Sequence, residues 1–184
     1  MESGGQPVSR DDMASLRVAL KSQYHAALAM LREVIEHCPD DLWFSAEHRN
    51  SYWQLAYHAL FFAHVYLQPA QADFRPWKGH QSDVQHADGI APEGEDSSGS
   101  LPLIPRPYTK DEVLEYWSIC DAMVDDALDS LDLASPNSGF SRHPMPKLEH
   151  QIMNIRHIQH HTAQMADRLR SAADEGTRWI RERR

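Results

Sequence analysis

Apolar residues recur at steps of three and four along four stretches of this 184-residue chain, and nowhere does the pattern alternate as a half-buried strand would. Leu16, Leu20, Tyr24, Ala27, Leu28, Leu31 and Ile35 predict a first helix from about Met13 to His37. Asp11 and Asp12 are its expected caps and Pro39 its stop. Asp40 and Asp41 open a short turn carrying Leu42, Trp43 and Phe44. A second helix is expected over 52–68, capped by Asn50 or Ser51 and ended by Pro69. It is apolar almost all round (Trp53, Leu55, Ala56, Leu60, Phe61, Phe62, Val65, Leu67), the pattern of a helix buried on most sides. Thr109-Lys-Asp-Glu112 has the form of a capping box and starts a third helix that reaches about Leu131. The fourth runs from about Lys147 to Ala173, with Gly176 as its expected C-terminal cap.

Between the second and third helices, residues 69–107 change character. They hold six prolines, four glycines and the acidic piece DGIAPEGEDSSGS. This reads as a long irregular connection, either a lid or binding loop, with Trp77, His80 and Tyr108 as its candidate lid residues, or a floppy crossover. Residues 1–10 are expected to form a flexible leader, 11–176 one helical domain and 177–184 a basic tail. The fold class that follows is all-α: a four-helix bundle with a long crossover.

A formal charge of -9 argues against binding nucleic acid through phosphate, since Lys and Arg cluster only in the tail. Cys38 and Cys120 are far apart and form no CxxC pair, so no disulfide framework is expected. No stretch approaches a membrane span, the apolar run at 55–67 being broken by His58 and His64. The first residues lack the pattern of a secretory signal, and the expectation is a cytoplasmic protein.

The chemistry is concentrated on the last helix. At about 100° per residue, Leu148, Ile152, Ile155, Ile158, Met165 and Leu169 fall on one arc. Asn154, His157, His161, Gln164 and Arg168 fall on the next, so this polar arc borders the core instead of opposing it. His157 and His161, four apart, stack on one face and can share a metal ion. His58, set mid-way along the apolar second helix, is the candidate third ligand. Three neutral imidazoles with an open fourth position make a catalytic type of zinc site, and other divalent metals also accept imidazole. Gln164 and Asn154 are the candidates to orient a ligand or bound water. No HExxH, Glu-x-x-His, GxGxxG, P-loop or GxSxG motif competes with this reading. The remaining histidines, His150 and His64 among them, show no partner pattern and read as surface or structural, and His160 as either exposed or lying just behind the ligands.

These residues give the chain a resemblance to the DinB-like (YfiT-like) superfamily. It is carried by Trp53-Gln-Leu-Ala-Tyr-His58-Ala-Leu, by His157-Ile-Gln-His-His161-Thr-Ala-Gln164, which is similar to an H-x-x-x-H-R-G-Q ending, and by the helix order; it spans roughly residues 13–173. The resemblance implies one metal ligand from the second helix and two from the last, at His58, His157 and His161, and a homodimer. It implies a metal-dependent enzyme, as in thiol-dependent S-transferases and a mycothiol-dependent isomerase. Thr162 and Ala163 stand where the family pattern has Arg and Gly.

Three functions are therefore open. In the first, a divalent ion, zinc or nickel, activates a low-molecular-weight thiol or water for transfer to, or hydrolysis of, a small molecule. In the second, the bundle is a non-catalytic metal-binding or stress-response protein, its fourth position closed by His64 or Glu149. In the third, the histidines are only a hydrogen-bonded layer with no metal.

Overall fold

The computed structural model describes residues 9–82, 84–86 and 106–183. Among these every regular element is helical: α1 (Arg10–His37), α2 (Asp40–Trp43), α3 (Tyr52–Tyr66), α4 (Lys110–Ser130) and α5 (Lys147–Ala173), with a single 3-10 turn at Gln71–Asp73. The four long helices form a bundle. α1 packs on α4 and α5, α3 also packs on α4 and α5, and α1 and α3 lie diagonally opposed. No helix is long and apolar enough to cross a membrane, among the described residues.

Local chemistry sets the ends of these helices. Thr109 and Glu112 form the expected capping box, each side chain bonding the other's backbone N–H. Ser51 and Gln54 do the same for α3. α1 starts earlier than expected, because Ser9, not Asp11 or Asp12, is the cap, and Asp12 completes a capping box with it. α5 ends on Asp174, whose φ of 54° takes up the left-handed conformation that short polar side chains tolerate. Gly176, the expected cap, lies two residues beyond that turn. At the far end of α4, Arg17 of α1 donates to the carbonyls of Leu128 and Leu131, satisfying acceptors the helix leaves unpaired.

The core is rich in aromatic side chains whose polar atoms are tied to backbone carbonyls of other elements. Trp117 Nε1 donates to Leu28 O at 2.7 Å, Tyr52 Oη to Val34 O at 2.9 Å and Trp43 Nε1 to Tyr108 O at 2.9 Å. Each such bond fixes one helix against another or against the segment leading into α4, since the buried donor has no water to fall back on. Cys38 and Cys120 are free and buried.

On α5 the buried face is shifted from the arc the apolar residues define. Gln151, Asn154, Ile158, His161, Thr162, Met165 and Leu169 are buried, whereas Ile152 is 48% exposed. Ile152 lies about 120° from Ile158 on the helical wheel, and Asn154 only about 40°. The polar residues thus occupy the inner face of the first half of α5. The carbonyl groups at the end of α3 accept their hydrogen bonds: Gln151 Nε2 donates to Tyr66 O at 2.9 Å and Asn154 Nδ2 to Ala63 O at 3.3 Å.

The start of α5 is pinned in the same way. Lys147 is 3% exposed, and its ammonium donates to Ser138 O and, at 2.7 Å, to Pro69 O. Gly139 beside it has a φ of +84°, and a Cβ there would collide with the same Pro69 carbonyl. His150, expected at the surface or in a structural role, is fully buried, stacked on Phe140 at 4.7 Å.

Candidate metal centre

α3 and α5 pack side by side, and this contact brings His58 to His157 and His161. His58 Nε2 lies 3.1 Å from His157 Nε2, and His161 Nε2 is also 3.1 Å from it. The three ring centroids are 4.5, 4.6 and 5.0 Å apart. Each residue offers one nitrogen, and the three lie within 4.8 Å of one another. Imidazole nitrogens 2.0–2.1 Å from a tetrahedral ion stand about 3.3 Å from one another. The two separations from His157 Nε2 are close to that.

Hydrogen bonds on the far sides of the rings set the direction of the lone pairs. His58 Nδ1 is 2.6 Å from the Gln85 carbonyl oxygen, which only accepts, so Nδ1 carries the proton. His161 Nδ1 is 2.8 Å from Gln164 Oε1, which fixes its proton likewise. Both Nε2 atoms then turn a lone pair toward His157 Nε2. A single ring proton on His157 can satisfy only one of them, and His157 Nδ1 is buried without a partner. A cation on the three Nε2 atoms removes the conflict. The donor set therefore fits a divalent ion. Burial, with the neighbouring His58 and His161, pulls the His157 pKa down to about 2, which keeps the ring in the neutral form that ligates.

Phe62 closes one flank, its ring 4.8 Å from His58 and 5.7 Å from His157. His58 and His157 are partly exposed and Gln164 is exposed, so the opposite flank meets solvent. No fourth His, Cys, Asp or Glu joins the group among the described residues. His64 faces the other way, with Nδ1 3.0 Å from Tyr116 Oη. His160 is exposed beside His161, as the wheel indicated. Arg168 reaches back to Asn50 O at 2.7 Å.

The long connection contributes one described contact that the sequence did not signal, the Gln85 carbonyl on His58. A backbone acceptor has no residue-type signature, so nothing in the sequence could have pointed to it. Trp77 and Tyr108 are buried, Trp77 stacked on Tyr116 at 5.0 Å and Tyr108 on Tyr57 at 4.6 Å. His80 Nδ1 is hydrogen-bonded to Tyr57 Oη at 2.6 Å. All three belong to the aromatic layer between α3 and α4. Residues 87–105, which include the acidic piece of the expected lid, lie outside the described residues, as do residues 1–8 of the expected leader. Of the basic tail, Arg178 Nε pairs with Glu33 Oε1 at 3.1 Å, which lays this segment along α1.

Thr162, which stands at the Arg position of the family ending, is buried and turns its hydroxyl to Ile158 O at 2.8 Å. No long cationic side chain therefore reaches the triad from that position. No curated protein and no solved structure matches the chain. The sequence model of the DinB superfamily matches residues 23–165, a span that holds α3, α4, all three histidines and most of α1 and α5. The chain belongs to the DinB superfamily.

Proposed function

We propose that this protein is a metal-dependent enzyme in which His58, His157 and His161 hold one divalent ion, zinc or nickel. The observation that carries the reading is the convergence of three imidazole Nε2 atoms, two of them turned inward by Nδ1 protons held on Gln85 O and Gln164 Oε1. An ion bound there supplies Lewis acidity at an open fourth position, which lowers the pKa of a thiol or water for attack on a small molecule. The His157 ring stays neutral, and the absence of a fourth protein ligand among the described residues leaves room for an exogenous group. Phe62 excludes water from one side, while the exposed flank beside Gln164 admits the substrate. A low-molecular-weight thiol is the proposed co-substrate, on the strength of the family. Without an Arg at position 162, its recognition falls to other groups. A homodimer is proposed on the same basis.

The test is metal content and thiol reactivity of untagged protein. Near one equivalent of zinc or nickel per chain, with metal-dependent consumption of a thiol and an electrophile, is the expected result. One equivalent of metal with no thiol transfer or hydrolysis on any substrate would favour a non-catalytic metal-binding bundle. Protein that refuses both metals would refute the site.

A further inference from the structure

Two of the three ligands have their tautomer fixed by an oxygen on the outer nitrogen. His157 does not: its Nδ1 is buried and unpartnered. One helical turn earlier on α5, Asn154 Oδ1 is also buried and unpartnered. Residues three apart on a helix are neighbours, their Cβ atoms about 5–6 Å apart. The amide of Asn154 cannot simply be turned round. Its Nδ2 donates to Ala63 O at 3.3 Å and the same amide hydrogen-bonds the Tyr24 side chain, so a flip would set oxygen against the carbonyl. Oδ1 is therefore an acceptor in need of a donor. His157 Nδ1, once Nε2 faces the other rings, is a donor in need of an acceptor. Asn154 is fully buried, and Gln151 beside it has both ends of its amide occupied, by Tyr66 O and by Tyr24 Oη.

We propose that Asn154 is the positioning residue for His157: its Oδ1 accepts the Nδ1 proton, directly or through one buried water, and so holds the ring with Nε2 toward His58 and His161. This rests on the reading of the three histidines as ligands. It completes a set in which every ligand ring is fixed by an oxygen: a backbone carbonyl for His58, Gln164 for His161 and Asn154 for His157. Outer groups of this kind raise the basicity of a ligand and orient it, and losing one costs about 10–100-fold in metal affinity.

The experiment compares the wild type with Asn154→Leu, Asn154→Asp and His157→Ala. Zinc affinity is read by competition with a chromophoric chelator, and thermal midpoints are taken on the metal-free proteins. Histidine-labelled wild type is examined by long-range proton–nitrogen NMR with zinc bound. The expected result is a solvent-protected Nδ1 proton on His157. Asn154→Leu should bind zinc about 10–100-fold more weakly, with a metal-free midpoint lowered only by the loss of the bond to Ala63 O. Asn154→Asp, which keeps an acceptor, should recover affinity and the protected proton. A leucine variant that binds zinc as the wild type does would overturn the proposal. So would an aspartate variant that folds and fails to recover. If the leucine variant does not fold, the wild-type spectrum decides: an Nδ1 proton exchanging like that of an exposed imidazole overturns the proposal. Failure of the underlying site is distinguishable, because His157→Ala would then bind zinc as the wild type does.

Discussion

Replacing His150 by leucine separates the acid sensitivity of one buried imidazole from that of the rest of the bundle. His150 is fully buried, with Phe140 stacked on one face and Tyr66 edge-on at 4.9 Å. Burial, and then the charges of Lys147 and His143, pull its pKa from 6.5 down to about 4. His143 hydrogen-bonds Tyr66 Oη, and Lys147 is bound to two carbonyls, so neither neighbour can neutralise a proton on His150. The folded-state pKa is below the unfolded one, so the unfolded chain takes up the proton first. The stability associated with the neutral ring is fully present above pH 6.5 and is lost as pH falls through the window from 6.5 to about 4. Linkage over that window gives a loss of about 2 kcal/mol by pH 5 and about 3 kcal/mol by pH 4, relative to pH 7. The assay is urea denaturation of both proteins at pH 7, 5 and 4. His150→Leu should fall within about 1 kcal/mol of the wild type at pH 7, because Nε2 has no partner to lose. At pH 4 it should be the more stable protein, by roughly 2–3 kcal/mol. His143, His64 and His157 also have lowered pKa values and add acid sensitivity to both proteins, so the difference between them isolates His150. Parallel pH dependence in the two proteins would refute the reasoning.

Other outcomes follow from the same geometry. His157→Ala or His161→Ala should strip most of the bound metal, whereas His160→Ala, at an exposed position, should leave it in place; elemental mass spectrometry of the purified variants reads this directly. Saturating the wild type with zinc at a hundredfold excess over Kd should stabilise it by about 2.7 kcal/mol, seen as a rise in Tm that His157→Ala does not show. Lys147→Met should cost about 1–3 kcal/mol in urea denaturation, because it leaves the Pro69 and Ser138 carbonyls without their donor; unchanged stability would mean that the ammonium is not the pin between the turn after α3, the 131–146 segment and α5.

Much of the architecture was legible in the order of residues because helix boundaries are written in local chemistry. Pro39 and Pro69, the Thr109–Glu112 capping box and the three-and-four spacing of apolar residues act within one or two turns, so the four long helices stand nearly where the pattern placed them. The pairing of His157 with His161 was equally local, since a separation of four sets two side chains on one face whatever the surroundings. Even here a rival cap could win: Ser9 displaced Asp11 and Asp12 because several short polar side chains near a helix start can accept the same hydrogen bond, and Asp174 displaced Gly176 because its short polar side chain tolerates the left-handed turn.

What tertiary structure decided is which face of each helix meets which neighbour. Ile152 lies exposed while Gln151, Asn154 and His150 lie inside, because the end of α3 offers carbonyls and aromatic rings to α5 there. An apolar count along one helix carries no information about acceptors on another. The same holds for the depth of His58, for the Gln85 carbonyl behind it and for Thr162 turned onto its own helix. The sequence by itself thus determined the helices and nominated the three histidines. Only the packing of α3 against α5 determined that their lone pairs meet, because that depends on residues about a hundred positions apart being brought within hydrogen-bond distance.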